Sequence, residues 1–286
     1  MSKNGLFVGL VTLDLIYLTK SLPTNNQKLV ALDYSVASGG PATNAAITYS
    51  SYFGNQATLM AVLGCHPITN LIINDLERKK IAIADLNPIF DQPPPVSSIM
   101  VTKATGERSV ISINASKSQV NSKSIPDNIL ENVDIILIDG HQMMISEIIA
   151  QKAKLNNIPV VIDGGSWKVG FERVLPYVNY AICSANFYPP NCQNKVEVIE
   201  YLVSMGIEYI AITNGENPID YYIQGKTGKI AVPKIENVVD TLGAGDIFHG
   251  AFCHYILTES FIDALIKSAK IASESCQFFG KISVTS

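Results

Sequence analysis

Along this chain, short apolar runs rich in β-branched residues recur at residues 6–13, 57–64, 134–140, 158–165, 178–184 and 208–215. Between them lie stretches that read better as helices, at 41–53, 69–80, 146–157 and 195–206. Strand–helix alternation of this kind predicts βαβ units with right-handed crossovers. The expected fold is α/β, a doubly wound, mostly parallel sheet with helices on both faces. A strand pair at 220–233 and two helices at 246–257 and 259–279 complete the reading.

Two stretches break this rhythm. Residues 15–37 hold a polar loop (PTNNQ) and then an extended piece. Residues 96–113 read as two strands around the turn Ala104-Thr105-Gly106-Glu107, and their alternating polarity predicts a half-exposed antiparallel hairpin. Together they predict a small β-sheet lid standing off a single domain that spans 1–286. Pro93-Pro94-Pro95 would be its stiff entry.

Composition sharpens this picture. The chain is 47% hydrophobic and only 16% charged, against about 25% charge in an ordinary domain, which suits strands buried on both faces. The formal net charge of −4 argues against nucleic-acid binding, which needs clustered Lys and Arg. The longest apolar run, at 5–18, is interrupted by Asp14 and too short to cross a membrane, and no cleavage pattern of a secretory signal follows it. Five scattered cysteines, without C-x-x-C spacing, indicate reduced thiols and a cytoplasmic protein.

Candidate chemistry begins at Asp240-Thr241-Leu242-Gly243-Ala244-Gly245-Asp246. Glycines at 243 and 245 let backbone N–H groups approach a ligand, and a helix opening there turns its positive end to the same point. That makes an anion site suited to a phosphoryl group; read alone, the string is also an ordinary capping turn. A second glycine string, Ser38-Gly39-Gly40-Pro41-Ala42-Thr43-Asn44, also sits at a strand-to-helix junction, where Asn44 is either a hydrogen-bonding contact or a cap. Asp14 is a third candidate, because a carboxylate inside an apolar run is expensive without a reason. Asp139, Asp163 and Thr213 close predicted parallel strands, the ends at which open α/β sheets bind ligands.

The string DTLGAGD, followed by Phe248 and Gly250, together with the Gly-Gly-x-x-x-Asn-x-Ala string at 39–46, resembles the signatures of the ribokinase-like (phosphofructokinase B) carbohydrate kinases. The resemblance runs along essentially the whole chain. It implies a ribokinase-like fold and ATP-dependent transfer of the γ-phosphate to a sugar hydroxyl. Asp246 would be the catalytic base, and the turn Gly243, Ala244 and Gly245 the anion hole. It also implies substrate contacts from Asp14, Gly39, Gly40, Asn44, Arg108 and Asp139. Nucleotide contacts would come from Asn186, Thr213, Gly215, Asp240 and Thr241 as well as Gly243 and Gly245. Lys168 is a candidate phosphate contact, and His141 and His249 are candidates whose alternative is a structural role.

ATP and Mg2+ are the implied cofactors, with a monovalent cation such as K+ as a further candidate, while the metal ligands stay unassigned. The implied partners are a small sugar and a second copy of the chain joined through the lid. Pro41-Ala42 inside the glycine motif, where phosphosugar kinases of the family tend to have Lys, favours a neutral sugar. The D-G-H and FHGAF strings look most like the ketohexokinase and sulfosugar kinase branches, which favours a ketose or related hexose. A nucleoside kinase stays open, with Tyr17 and Tyr34 as stacking candidates, and so does a non-catalytic binding or regulatory member. One departure bears on the metal. Asn186 stands where the family has Asn-x-x-Glu, but Pro189 occupies the acidic position, and Pro218 replaces a glycine in the turn after Gly215.

Overall fold

The computed structural model describes residues 2–113, 119–120 and 125–280. The central sheet contains β1 (Lys3–Val8), β4 (Asn55–Ala61), β5 (Ile81–Asp85), β8 (Ile135–Ile138), β9 (Val160–Gly164), β10 (Tyr180–Ser184), β11 (Tyr209–Asn214), β12 (Asn217–Ile223) and β13 (Lys226–Ile230). Its order is β13-β12-β11-β10-β9-β8-β1-β4-β5. From β11 to β5 every neighbouring pair is parallel, and β12 and β13 close one edge as an antiparallel hairpin. A smaller sheet, ordered β3-β2-β6-β7, is built from β2 (Thr12–Thr19), β3 (Asp33–Gly39), β6 (Val96–Thr102) and β7 (Arg108–Ser112).

Burial on both faces of the large sheet follows from alternation within each strand. Phe7, Leu59, Leu137 and Val161 point to one core, and Leu6, Val8, Met60, Ile136, Ile138 and Ile162 to the other. The first core is covered by α1 (Pro41–Ser51), α2 (Thr69–Arg78), α6 (Ala244–Tyr255) and α7 (Phe261–Ser275), through residues such as Tyr49, Leu76, Phe252 and Leu265. The second is covered by α3 (Met143–Leu155), the short α4 (Phe171–Val174) and α5 (Lys195–Ser204), through Ile149, Phe171 and Leu202. The chain winds one way from β1 to β4 and β5 and the other way from β8 onward. The reversal therefore falls between β1 and β8, and the C-terminal ends of these strands are the expected ligand crevice.

Three features differ from the sequence reading. The apolar run at 6–13 is not one strand: it breaks at Gly9–Val11, so that β1 stays in the large sheet and β2 enters the lid. Asp14 consequently lies on a lid strand, and the lid strands begin at Thr12 and extend to Gly39. β5 was not anticipated, because its alternating IAIAD follows directly on a helical stretch. The 96–113 hairpin forms as expected, with β6 and β7 antiparallel.

One contact brings α1 and α6 together. A Cβ added to Gly250 on α6 would stand 2.4 Å from the Ala45 carbonyl oxygen of α1, so this position brings the helices to backbone contact. The variant Gly250→Ala should therefore lower stability by about 1–3 kcal/mol, the usual cost of overpacking. The check is a lower denaturant midpoint at unchanged m-value.

Candidate active site

The glycine string at 243–245 forms the start of α6. Gly243 caps the helix with φ 75°, a left-handed conformation that glycine adopts without strain, and Asp246 sits in the first turn. Before it, the loop is held from behind. The Asp240 carboxylate, 3% exposed, accepts from the Leu242 and Gly280 amides at 2.8 and 3.1 Å. The amides of Val239 and Asp240 donate to the Cys276 carbonyl. The Asp240 side chain, expected at the nucleotide, thus also shapes the loop from behind.

The other glycine string meets this one in space. Gly40, at φ 100°, precedes Pro41 at the start of α1, and a Cβ there would stand 2.3 Å from the Leu10 carbonyl oxygen. One turn later Asn44 donates from Nδ2 to the Asp246 carboxylate at 2.6 Å, joining residues 202 apart in sequence. The other amide atom of Asn44, Oδ1, is buried with no hydrogen-bond partner. A Cβ at Gly245 would meet nothing within 4 Å, so the first turn of α6 faces open space.

Asp139 follows β8 at the switch point. It is 1% exposed. One oxygen accepts from the Leu10 and Ala42 amides at 2.9 and 3.1 Å, and the other from the His141 amide at 2.9 Å. The His141 ring nitrogen Nδ1 stands 3.1 Å away, in ion-pair range but outside hydrogen-bond geometry. Gly9 makes room, since a Cβ there would collide with this carboxylate. Asp139, expected as a substrate contact, ties the end of β1 to the start of α1 and so positions the first glycine string.

Asp14 is 5% exposed and accepts from the Thr12 hydroxyl at 2.5 Å. By strand alternation it shares a lid face with Ile16 and Leu18, the face that packs on Leu242 and Phe279 beside the α6 loop. Tyr17 lies on the opposite face, in register with Tyr34, so both point away from the Asp14 side. Arg108, at the lid turn, donates to the carbonyl and hydroxyl oxygens of Thr241 at 2.8 and 3.0 Å. Thr213 pairs with Ser184 across β10 and β11 and donates to the Cys183 carbonyl, while Asn186 is exposed just beyond β10 and Gly215 turns at φ 56°. This group lies at the ends of strands two and three places from β8, along the same edge of the sheet.

His249 is 5% exposed and not on the helix surface. Its ring nitrogens lie 2.7 Å from the Gly245 carbonyl oxygen and 3.1 Å from that of Ile182, which fastens α6 to β10, and Asp163 stands 3.6 Å behind. Lys168 has its ammonium 3.3 Å from the Ser166 carbonyl oxygen and over the Phe171 ring. Sequence reasoning missed Asp75 on α2, whose carboxylate accepts from the Ser38 amide and hydroxyl at 2.8 and 2.7 Å and so steadies the strand leading into Gly39 and Gly40. No local pattern marks such a residue, because its partner is 37 positions away. Among the described residues, no group of three His, Cys, Asp or Glu side chains is arranged to hold a metal ion. Nor does any described helix have the length and apolarity to cross a membrane.

A mostly parallel α/β sheet with a small lid and two glycine turns meeting at its switch point defines the scaffold of a phosphotransferase. Comparison with known proteins specifies it: the model of the pfkB family carbohydrate kinases matches residues 3–285, and the chain belongs to that family. It is a carbohydrate kinase, a phosphotransferase with an alcohol group as acceptor. The chain is 26% identical to a ribokinase of Dictyostelium discoideum, over 96% of this chain and 95% of that protein. Its fold is similar to Arabidopsis thaliana ribokinase complexed with ribose and ATP, at TM-score 0.78 and 20% identity over 98% and 94% of the two chains. It is also similar to adenosine kinase from Sinorhizobium meliloti, at TM-score 0.79 and 16% identity over 98% and 96%.

Burial alone would raise the Asp139 carboxyl, but the His141 charge and the amides it accepts from bring it down to about 2. A carboxyl depressed below its unfolded value near 3.9 contributes stability above that value and loses it as pH falls through the folded one. The wild type should therefore lose roughly 2 kcal/mol between about pH 4 and pH 2 through this group. Asp139→Asn should be less stable at pH 7 and lack that part of the acid dependence, read from urea midpoints across pH.

Proposed function

We propose that this kinase transfers the γ-phosphate of ATP to a hydroxyl of a small neutral sugar, with Asp246 as the base. The observation that carries the reading is the 2.6 Å bond from Asn44 to Asp246, which unites the two glycine strings at the start of α6. The buried, unpaired Oδ1 of Asn44 supports a donor beside the base, and an acceptor hydroxyl is such a donor. Asp14 then orients the sugar from the lid side, and Gly39 and Gly40 let it approach the backbone.

In the reaction the hydroxyl oxygen attacks the γ-phosphorus and gives its proton to Asp246. The bond to the β–γ bridging oxygen breaks, and ADP leaves with that electron pair. Amides of Gly243, Ala244 and Gly245 face the charge that builds on the phosphoryl oxygens, where a helix N-terminus stabilises it. Asn186, Thr213, Gly215 and Thr241 are the nucleotide-side residues of this reading. Magnesium would arrive on the nucleotide, keep several waters and neutralise charge on the phosphates. A monovalent cation such as K+ has no group assigned to it.

A neutral sugar fits the absence of a cation at Pro41-Ala42. The D-G-H and FHGAF strings favour a ketose or related hexose, whereas the ribokinase relatives favour ribose. A panel of hexoses, pentoses and nucleosides with a coupled ADP assay decides between them, and turnover on nucleosides alone would replace the sugar. Asp246→Asn should lose roughly 10²–10⁴-fold in kcat, the worth of general-base catalysis, while still binding sugar by calorimetry. Near-normal turnover would overturn the assignment.

The lid's outer face leaves Tyr17, Tyr34, Val36 and Ile111 exposed, which supports a homodimer joined there within a single-domain chain. Ile111→Glu should then shift the sedimentation coefficient from dimer to monomer.

A further inference from the structure

The lid turn does not hang free over the site; it is bonded to the loop that precedes the anion hole. Arg108 Nη1 donates to the Thr241 carbonyl at 2.8 Å and to its hydroxyl at 3.0 Å. The Thr241 hydroxyl in turn donates to the Gly106 carbonyl at 3.4 Å. A Cβ on Gly106, at φ 68°, would come within 3.1–3.3 Å of Val238 and Val239, so the turn is seated on the loop backbone. Behind these contacts Ile16, Ile99 and Val101 of the lid pack with Leu242 and Phe279.

The shared acceptor is the informative atom. The Thr241 carbonyl also receives the Ala244 amide, but at a long 3.4 Å. Arg108 therefore supplies the short, charge-assisted bond to this oxygen, and Ala244 is left only weakly engaged. Ala244 opens α6, and its N–H is one of those that would meet a phosphoryl group. We infer that Arg108 is a positioning residue for phosphoryl transfer: from the lid, it holds Thr241 so that the Gly243–Gly245 turn presents its amides to the transferring phosphate. Arg108 acts through Thr241 and not by gripping the sugar, the role the sequence motif suggests for it. The inference rests on the anion-hole reading of the 243–245 turn.

This coupling makes the anion hole depend on lid placement. When the lid is seated, the loop is braced from two sides, by Arg108 on one and by Asp240 and Cys276 on the other. When the lid lifts, the Thr241 carbonyl is released to the Ala244 amide. Transfer is thereby tied to a seated lid, which limits loss of phosphate to water.

The test is steady-state kinetics on Arg108→Ala, Arg108→Lys, Thr241→Val and the Arg108→Ala/Thr241→Val double variant, with sugar and MgATP varied separately. Arg108→Ala should lower kcat about ten-fold or more with the sugar KM within about two-fold, since an interaction made through the transition-state turn is lost equally from kcat and kcat/KM. Arg108→Lys should restore part of kcat, because an ammonium can still donate to the carbonyl. Thr241→Val removes only the hydroxyl. Its effect should be smaller and clearly non-additive with Arg108→Ala, as for groups in one network. A raised sugar KM at unchanged kcat, or strict additivity, would overturn the inference in favour of direct sugar contact. Asp246→Asn run alongside separates the two levels: if it too retains turnover, the proposed reading of the 243–246 string as the catalytic centre fails, whereas its loss of activity with an unaffected Arg108→Ala removes only the positioning role. Thermal melts matching the wild type within about 2 °C show that the lid variants are folded.

Discussion

The meeting of the two glycine strings depends on how closely α1 approaches α6. Asn44 reaches Asp246 only because Gly250 and Ala45 let the two helices touch backbone to backbone. Each helix begins at a glycine with positive φ, Gly40 and Gly243, and each such glycine turns the chain sharply from strand or loop into helix. A larger residue at Gly250 would separate the helices and, with them, Asp246 and its amide partner Asn44. The large sheet serves this contact by fixing where both helices start.

Buried carboxylates do much of the remaining positioning. Asp139, Asp75 and Asp240 each accept from backbone amides, at the switch point, below the first glycine string and behind the second. Ionised acceptors bound by several N–H groups hold a loop more firmly than neutral ones. The desolvation each suffers is offset by those donors. The chain thus places few charges, and it places several of them where they order backbone and do not meet solvent. That accounts for part of the low surface charge of this protein.

Lid and core are joined by a small number of contacts of different kind. An apolar cluster of Ile16, Ile99, Val101, Leu242 and Phe279 supplies the area, and Arg108 supplies direction. The lid's inner face carries Asp14, while its outer face carries the exposed aromatics Tyr17 and Tyr34. Period-two alternation in β2 is what separates them, so one strand presents a carboxylate on one face and exposed aromatics on the other.

Much of the fold was legible in the residues themselves. Apolar runs of strand length alternating with helical stretches were enough for a doubly wound sheet, and the polarity of 96–113 was enough for the lid hairpin. Both glycine strings were legible too, because glycine at a strand-to-helix junction has a local physical meaning. The break at Gly9–Val11 was not, since an apolar run looks the same whether it stays in one sheet or passes to another. The hydrogen-bond partners of Asp139, Asp240 and His249 also needed the tertiary structure, because a carboxylate or imidazole near a glycine turn does not show in sequence what it bonds to. Those partners lie far away in sequence, at Leu10, Ala42, Gly280 and Ile182, so no local pattern carries them. Sequence determined which chemistry is present and on which elements. Tertiary packing decided which of those groups face the crevice and which hold it in shape, because that depends on distances the chain sets only when α1, α6 and the lid close on one another.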